Sequence, residues 1–136
     1  SICLEMDLEP DLPPVTIDSL RFPWVFTNLV GNALRYSDRG GAVTVRVARK
    51  GQRIYVQCID RGTGIDSKYL PKIFDRYTQF SEREKSGAIG LGLAIVKEII
   101  EAHGGDIRVE SGVGAGTTFT FWIPLEEAVD ETDSAD

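Results

Sequence analysis

The stretch Phe26-Thr27-Asn28-Leu29-Val30-Gly31-Asn32-Ala33-Leu34-Arg35-Tyr36-Ser37 limits what this chain can become more than any other. At about 100° per residue, Leu29, Val30, Ala33 and Leu34 continue an apolar stripe begun by Phe22, Val25 and Phe26. The spacing predicts an amphipathic helix with one face against a core. Its polar positions are unusual. Asn28, Asn32 and Arg35 stand at i, i+4 and i+7, so two amides and a guanidinium share one face. A solvated surface accounts for one such asparagine. Asparagine is a middling helix former that serves better at caps and turns, so two of them one turn apart point to a ligand. Neutral oxygens for a hard cation beside phosphate would suit them.

The chain has 136 residues, 42% of them hydrophobic, enough for one core and too few to favour two. We expect one domain over residues 1–124 and an acidic, disordered tail over 125–136. The net charge of −6 comes from that tail: Glu126, Glu127, Asp130, Glu131, Asp133 and Asp136 leave 15 acids against 15 bases elsewhere. A near-neutral folded part gives no support to nucleic-acid or membrane binding by bulk charge. No apolar run approaches the roughly 18 residues of a membrane span, and Ser1-Ile2-Cys3-Leu4-Glu5 lacks a basic region followed by an apolar one. Cys3 and Cys58 lie in apolar, strand-like runs and are expected to be reduced core residues. A soluble, cytoplasmic piece is expected.

Residues 1 to 8 alternate as an opening strand, followed by a stiff connector with Pro10, Pro13 and Pro14. Asp18 is a good N-cap, predicting a helix from about Ser19 to Tyr36 with Pro23 a blemish in its early turns. After the turn cluster Ser37-Asp38-Arg39-Gly40-Gly41, the alternations Val43, Val45, Val47 and Ile54, Val56, Cys58 predict a hairpin. Ser67 to Arg76 reads as a short helix, and Tyr77 to Ile89 has no periodicity, as in a disordered segment or a functional lid. From Gly90, helical spacing of Leu93, Val96, Ile99 and Ile100 runs to Gly104-Gly105. Strands over about 106–111 and 117–124 follow, joined by Gly112-Val113-Gly114-Ala115-Gly116. Strands in mainly antiparallel pairs with two long helices suggest a two-layer α/β sandwich, helices on one face and solvent on the other.

Two glycine clusters carry the chemistry. Asp60-Arg61-Gly62-Thr63-Gly64 follows a strand directly. Alternate glycines let the backbone turn sharply against a flat or anionic ligand, and an ionised aspartate can only accept hydrogen bonds. A buried carboxylate there would select an amino group over a carbonyl, although an ordinary Asp-x-Gly turn reads the same way. Gly87-Ala88-Ile89-Gly90-Leu91-Gly92-Leu93 opens a helix, where unpaired N–H groups and the dipole favour phosphate. No Gly-Lys-Ser/Thr follows, and no long βαβ crossover supports a dinucleotide fingerprint.

Taken in order, Asn28 to Tyr36, Asp60-x-Gly-x-Gly64, Ile73-Phe74-Asp75-Arg76-Tyr77 and Gly90-Leu91-Gly92-Leu93 resemble the N, G1, F and G2 boxes of sensor histidine kinases. Those boxes belong to the catalytic ATP-binding domain, in the superfamily shared with type II topoisomerases, the mismatch-repair ATPase and the large heat-shock chaperone. The resemblance runs from about residue 2 to residue 124. It implies a Bergerat-type α/β sandwich with a mixed, mostly antiparallel sheet, binding Mg-ATP under a lid over residues 77–89. Asn32 would be the main magnesium ligand, with Asn28 assisting, and Arg35 would touch phosphate. Tyr36 would flank the nucleotide and Asp60 would accept from the adenine amino group. Gly62 and Gly64 would line the adenine pocket, and Gly90 and Gly92 would hold the phosphates. Ile65, Tyr77, Leu91 and Leu93 complete the nucleotide site that the resemblance implies.

The chain departs from the pattern in places. Ile89 stands where a small hydroxyl residue is frequent and Ala88 where glycine is common. Gln79 stands where the F box often ends in Arg. Arg76, ahead of Arg83 and Lys85, is therefore expected to meet the γ-phosphate, which with Asn28 and Arg35 makes the catalytic set. His103, the only histidine, reads as a dipole-favoured helix cap. The phosphorylated histidine of such kinases normally lies on a separate helical hairpin. The resemblance thus implies a catalytic domain whose partners are the dimerisation and phosphoacceptor hairpin of a parent kinase, membrane-anchored in some cases, and a response regulator downstream. The isolated domain is expected to be a monomer without direct membrane contact. Hydrolytic relatives carry a Glu where this chain has Asn28, and an amide cannot take the proton from water. Hydrolysis of ATP and a purely regulatory nucleotide-binding or docking role are the competing readings.

Overall fold

A computed structural model describes residues 3–15, 17–36, 42–75 and 92–125. Arg76, Tyr77, the proposed lid, Gly90, Leu91, the turn cluster after Tyr36 and residues 126–136 lie outside the described residues, as do the side chains of Cys3, Arg35 and Tyr36. The elements run β1 (Cys3–Leu8), α1 (Phe22–Tyr36), β2 (Ala42–Lys50), β3 (Arg53–Asp60), a 3-10 turn (Leu70–Lys72), α2 (Gly92–Ala102), β4 (Asp106–Gly112) and β5 (Gly116–Pro124). The five strands form one sheet in the order β1-β2-β3-β5-β4. Only β1 and β2 pair in parallel. This is the expected mixed, mostly antiparallel sheet.

Strand alternation builds the core. The buried residues of β3, Ile54, Val56 and Cys58, stand opposite the buried Ile123, Phe121 and Phe119 of β5. Both helices lie over that face. Phe22, Val25, Leu29 and Ala33 of α1 and Leu93, Ala94, Val96, Ile99 and Ile100 of α2 are buried against it. Phe121 is fully covered, so truncating it to alanine would cost about 3–5 kcal/mol. Cys58 is reduced and buried, its thiol facing the Leu29 carbonyl oxygen at 3.7 Å, and burial pushes its pKa up to about 12. On the opposite face, Arg53, Tyr55, Arg108, Glu110 and Trp122 line an open depression, with the Arg53 guanidinium 3.7 Å from the Trp122 ring centre.

Several expectations need correction. Phe26 and Leu34 do not share the buried stripe, being 36% and 44% exposed. Their positions lie toward the flank of α1, away from its centre line. The helix begins at Phe22, not Ser19. Asp18 nevertheless caps the entry as expected: its Oδ1 accepts the Leu20 and Arg21 N–H groups at 2.9 and 3.0 Å and its carbonyl accepts the Phe22 N–H at 2.8 Å, so a capped turn leads into the helix. Pro23 therefore falls in the first turn, where a missing N–H is harmless. The helix expected over 67–76 is only a run of i−3 bonds, from Tyr69, Leu70, Lys72, Ile73 and Asp75. Pro71 has no N–H to offer the Ser67 carbonyl, so an α-helical ladder cannot propagate through it.

The end of α2 was read in the right place for an incomplete reason. Gly104, at φ +87°, donates to the Glu101 carbonyl, and Gly105 donates to Ile100 at 3.0 Å, the paired bonds of a Schellman ending. His103 stands at that end with its ring against a last-turn carbonyl, where a capping side chain is expected. Its Nε2 accepts the Asp18 N–H at 2.9 Å while Nδ1 lies 2.8 Å from the Ile99 carbonyl oxygen. With Nε2 accepting from Asp18, Nδ1 is the ring nitrogen placed to donate to the Ile99 carbonyl. With the Phe22 ring at 5.0 Å, His103 ties the end of α2 to the start of α1.

Candidate functional site

The apolar ladder between β3 and β5 ends on one polar rung, Asp60 opposite Thr117. Both are on the core side of the sheet and both are buried, at 6% and 5% exposure. Burial raises the Asp60 pKa, while hydrogen bonds from the Gly62 and Thr117 backbone N–H groups oppose the rise. The Gly62 N–H lies 2.9 Å from Oδ1. A carboxylate in this position is an acceptor held by backbone donors at the rim of the core, fitted to a ligand that brings N–H groups.

The loop after Asp60 is pinned by the turn between β4 and β5. Gly114 donates to the Thr63 carbonyl at 2.8 Å and Ile65 donates to Ser111 Oγ at 2.8 Å. Gly64 adopts φ +77°, and a Cβ there would strike the Gly112 carbonyl. From the other side, Gly116 at φ +79° sits against the Asp60 carbonyl with the same lack of room. These two glycines serve close backbone approach. Gly62 is buried beside Asp60, and Ile65 has its side chain in the core at 5% exposure and its N–H taken by Ser111.

At the other end of the site, α1 and α2 meet. Asn28 Nδ2 donates to the Trp24 carbonyl at 2.7 Å, one turn back. With its nitrogen engaged, Asn28 turns Oδ1 to Gly92, where a Cβ would collide with it. Gly92 thus opens α2 with its free N–H end beside an amide oxygen, while Leu93 is buried in the core. Asn32 is half-buried one turn further along α1, and its amide bonds to no other described residue. Among the described residues no three His, Cys, Asp or Glu side chains gather at one point. A divalent ion here would rest on neutral amide oxygens plus oxygens carried by its ligand, a donor set that fits magnesium.

The structure therefore brings Asn28 against Gly92, with Asn32 one turn further along α1, and groups Asp60, Gly62, Gly64 and Ile65 at the end of β3. Arg35 and Tyr36 end α1, with their side chains outside the described residues, while Arg76, Tyr77, Gly90 and Leu91 lie outside altogether. Thr117 and Ser111 were missed from sequence. Their signal was two hydroxyls flanking the Gly112–Gly116 turn, and only the strand register shows that Thr117 faces Asp60. No helix among the described residues is long and apolar enough to cross a membrane.

Comparison with known proteins covers most of the chain. Residues 17–127 match the model of the histidine kinase-, DNA gyrase B-, and HSP90-like ATPases. The chain is 43% identical over 126 residues to the sensor histidine kinase WalK of Bacillus subtilis, covering 89% of this chain and 21% of WalK. It is 39% identical over 124 residues to the alginate biosynthesis sensor protein KinB of Pseudomonas aeruginosa, covering 91% and 20%. The chain spans about a fifth of the length of such curated relatives. Among solved structures, the mycobacterial sensor histidine kinase MprB superposes with a TM-score of 0.81 at 28% identity, over 92% of this chain and 84% of that one. Full-length ShkA in complex with AMPPNP gives 0.79 at 29% identity, over 93% and 26%.

Proposed function

The chain belongs to the histidine kinase-, DNA gyrase B-, and HSP90-like ATPase family, and from that premise we propose that it binds Mg-ATP between α1 and the Asp60 loop and directs the γ-phosphate to a histidine on another domain. The acceptor is the dimerisation and phosphoacceptor hairpin of a parent histidine kinase, working in the cytoplasm, and a response regulator takes the phosphoryl group downstream. The observation that carries this reading is the buried Asp60, one oxygen held by the Gly62 N–H, standing across from Thr117 at the open end of the core.

In this reading Asp60 accepts from the adenine amino group, and Gly62, Gly64 and Ile65 shape the adenine pocket. Asn32, assisted by Asn28, would hold a magnesium ion through amide oxygens, and that ion would supply positive charge at the phosphates. The backbone of Gly90, Leu91, Gly92 and Leu93 receives the phosphates at the start of α2. Arg35 and Arg76 balance charge developing on the transferring group, and Tyr36 and Tyr77 flank the nucleotide. Phosphoryl transfer needs alignment and charge stabilisation more than covalent chemistry from the protein. Hydrolysis needs a base beside water, and Asn28 cannot serve as one.

The test incubates the purified chain with magnesium and γ-labelled ATP, alone and with the parent kinase's own hairpin. Acid-labile label on the hairpin, with neither label nor phosphate release from the chain alone, is the expected result. Steady phosphate release by the chain alone would favour hydrolysis, and stable label at His103 would overturn the assignment of the acceptor.

A further inference from the structure

The Ser111 side chain stands at the junction of the two backbones that frame the Asp60 end of the site. Its Oγ accepts the Ile65 N–H at 2.8 Å, lies 2.8 Å from the Gly116 carbonyl oxygen and lies 2.7 Å from Thr117 Oγ1. A hydroxyl has one proton and two lone pairs. One lone pair takes the Ile65 N–H. Gly116 offers only an acceptor, so it takes the Ser111 proton, and the second lone pair is left for the proton of Thr117. All three contacts are satisfied at once only in this arrangement. It leaves Thr117 Oγ1 with its lone pairs free, so the polar rung presents acceptors from both Asp60 and Thr117.

The same hydroxyl ties three segments together. Ile65 ends the Gly62–Gly64 loop, Gly116 packs its α-carbon against the Asp60 carbonyl, and Thr117 pairs with Asp60 across the strands. Without Ser111 Oγ, the Ile65 N–H loses its partner and the Thr117 hydroxyl becomes free to rotate and donate. We propose that Ser111 is a positioning residue for base recognition: it holds the Gly62–Ile65 loop against Asp60 and fixes Thr117 as an acceptor, so that the site selects a base presenting an amino group. This rests on the nucleotide-binding reading above, and it adds a residue that acts through others without touching the base.

The experiment compares Ser111→Ala with Ser111→Thr, which restores a hydroxyl, by calorimetric titration with Mg-ATP and Mg-GTP and by amide exchange without nucleotide. Ser111→Ala should weaken Mg-ATP about tenfold, the size of one lost hydrogen bond. Mg-GTP should change little, so the preference for ATP falls with it, while Ser111→Thr keeps most of that preference. In the free protein, exchange at Ile65 should quicken in Ser111→Ala and remain slow at Val56 and Phe121. A purely structural role would weaken both nucleotides alike and quicken exchange throughout. That result, or a Thr variant no better than Ala, overturns the proposal. If Ser111→Ala does not fold, Ser111→Cys, of the same shape but a weaker acceptor, is read by the same two ratios. Failure of the unmodified chain to bind Mg-ATP would count against the nucleotide reading, while quickened exchange confined to Ile65 would still support the positioning role.

Discussion

The two ends of the site are built on different principles. At the Asp60 end, strands supply the carboxylate, and two positive-φ glycines and a serine hydroxyl lock one backbone to another. At the Asn28 end, two helices meet, and a Cβ added at Gly92 would run into the tip of the Asn28 side chain. A base is flat and its donors are fixed, so a rigid frame can discriminate among bases. Phosphates and a hydrated ion are met well by helix ends and amide oxygens that adjust by rotamer. The difference predicts that filling a glycine at the first end disturbs the fold, while filling one at the second disturbs mainly binding.

Gly64→Ala should have the largest effect. Its Cβ would combine a left-handed backbone with a collision against the Gly112 carbonyl, which cannot rotate away. A loss of about 3 kcal/mol or more is expected in denaturant unfolding, along with nucleotide binding. Near wild-type stability would show that the frame is softer than described.

Asp60→Ala comes next, with an expected loss of about 1–3 kcal/mol in Mg-ATP affinity by titration. Asp60→Asn sharpens the point through pH. Burial raises the Asp60 pKa, so the folded chain holds that proton more tightly than the unfolded chain. The resulting stability is fully present below the ordinary aspartate range and is lost as pH rises through the raised folded value. Asp60→Asn should lack this pH dependence and melt no lower than the parent at neutral pH. A loss of stability at neutral pH would mean that the ionised carboxylate supports the fold.

Gly92→Ala probes the softer end. Its Cβ would displace Asn28 Oδ1, which can turn aside. Mg-ATP affinity should drop about tenfold while stability stays within about 0.5 kcal/mol of the parent. The smallest effect belongs to Gly31→Ala, since among the described residues nothing beyond its own helix backbone lies within 4 Å of a Cβ there. It should raise the melting temperature through a gain of about 0.5–1 kcal/mol in helix propensity and leave affinity unchanged.

The same contrast explains what could be read from the sequence. Side-chain periodicity announced α1, α2, the hairpin and the last two strands, because burial of Val25, Leu29, Ile54, Val56 and Ile99 is a local pattern. Asn28, Asn32 and Asp60 were visible because their residue types are out of place in such patterns. Ser111 and Thr117 were not, since their roles depend on which strands pair and in what register. Pro71 is legible in the sequence, and its missing N–H is what holds residues 67–75 to i−3 bonds. The parallel pairing of β1 with β2 leaves Leu4, Met6 and Leu8 more than half exposed, which strand alternation alone does not reveal.

The His103 contact gives the helix pair the mechanics of a lever. The bond from the Asp18 N–H pins α2 at its last turn, while its first residue meets Asn28 at the opposite end. Eleven residues separate pivot from tip, about 16 Å at the helical rise. Rotation by about 4° around the pivot moves the tip by about 1 Å, and a misplacement of that size can change a rate by about two orders of magnitude. The angular stiffness of one imidazole contact is thereby magnified into the placement of the far end of α2.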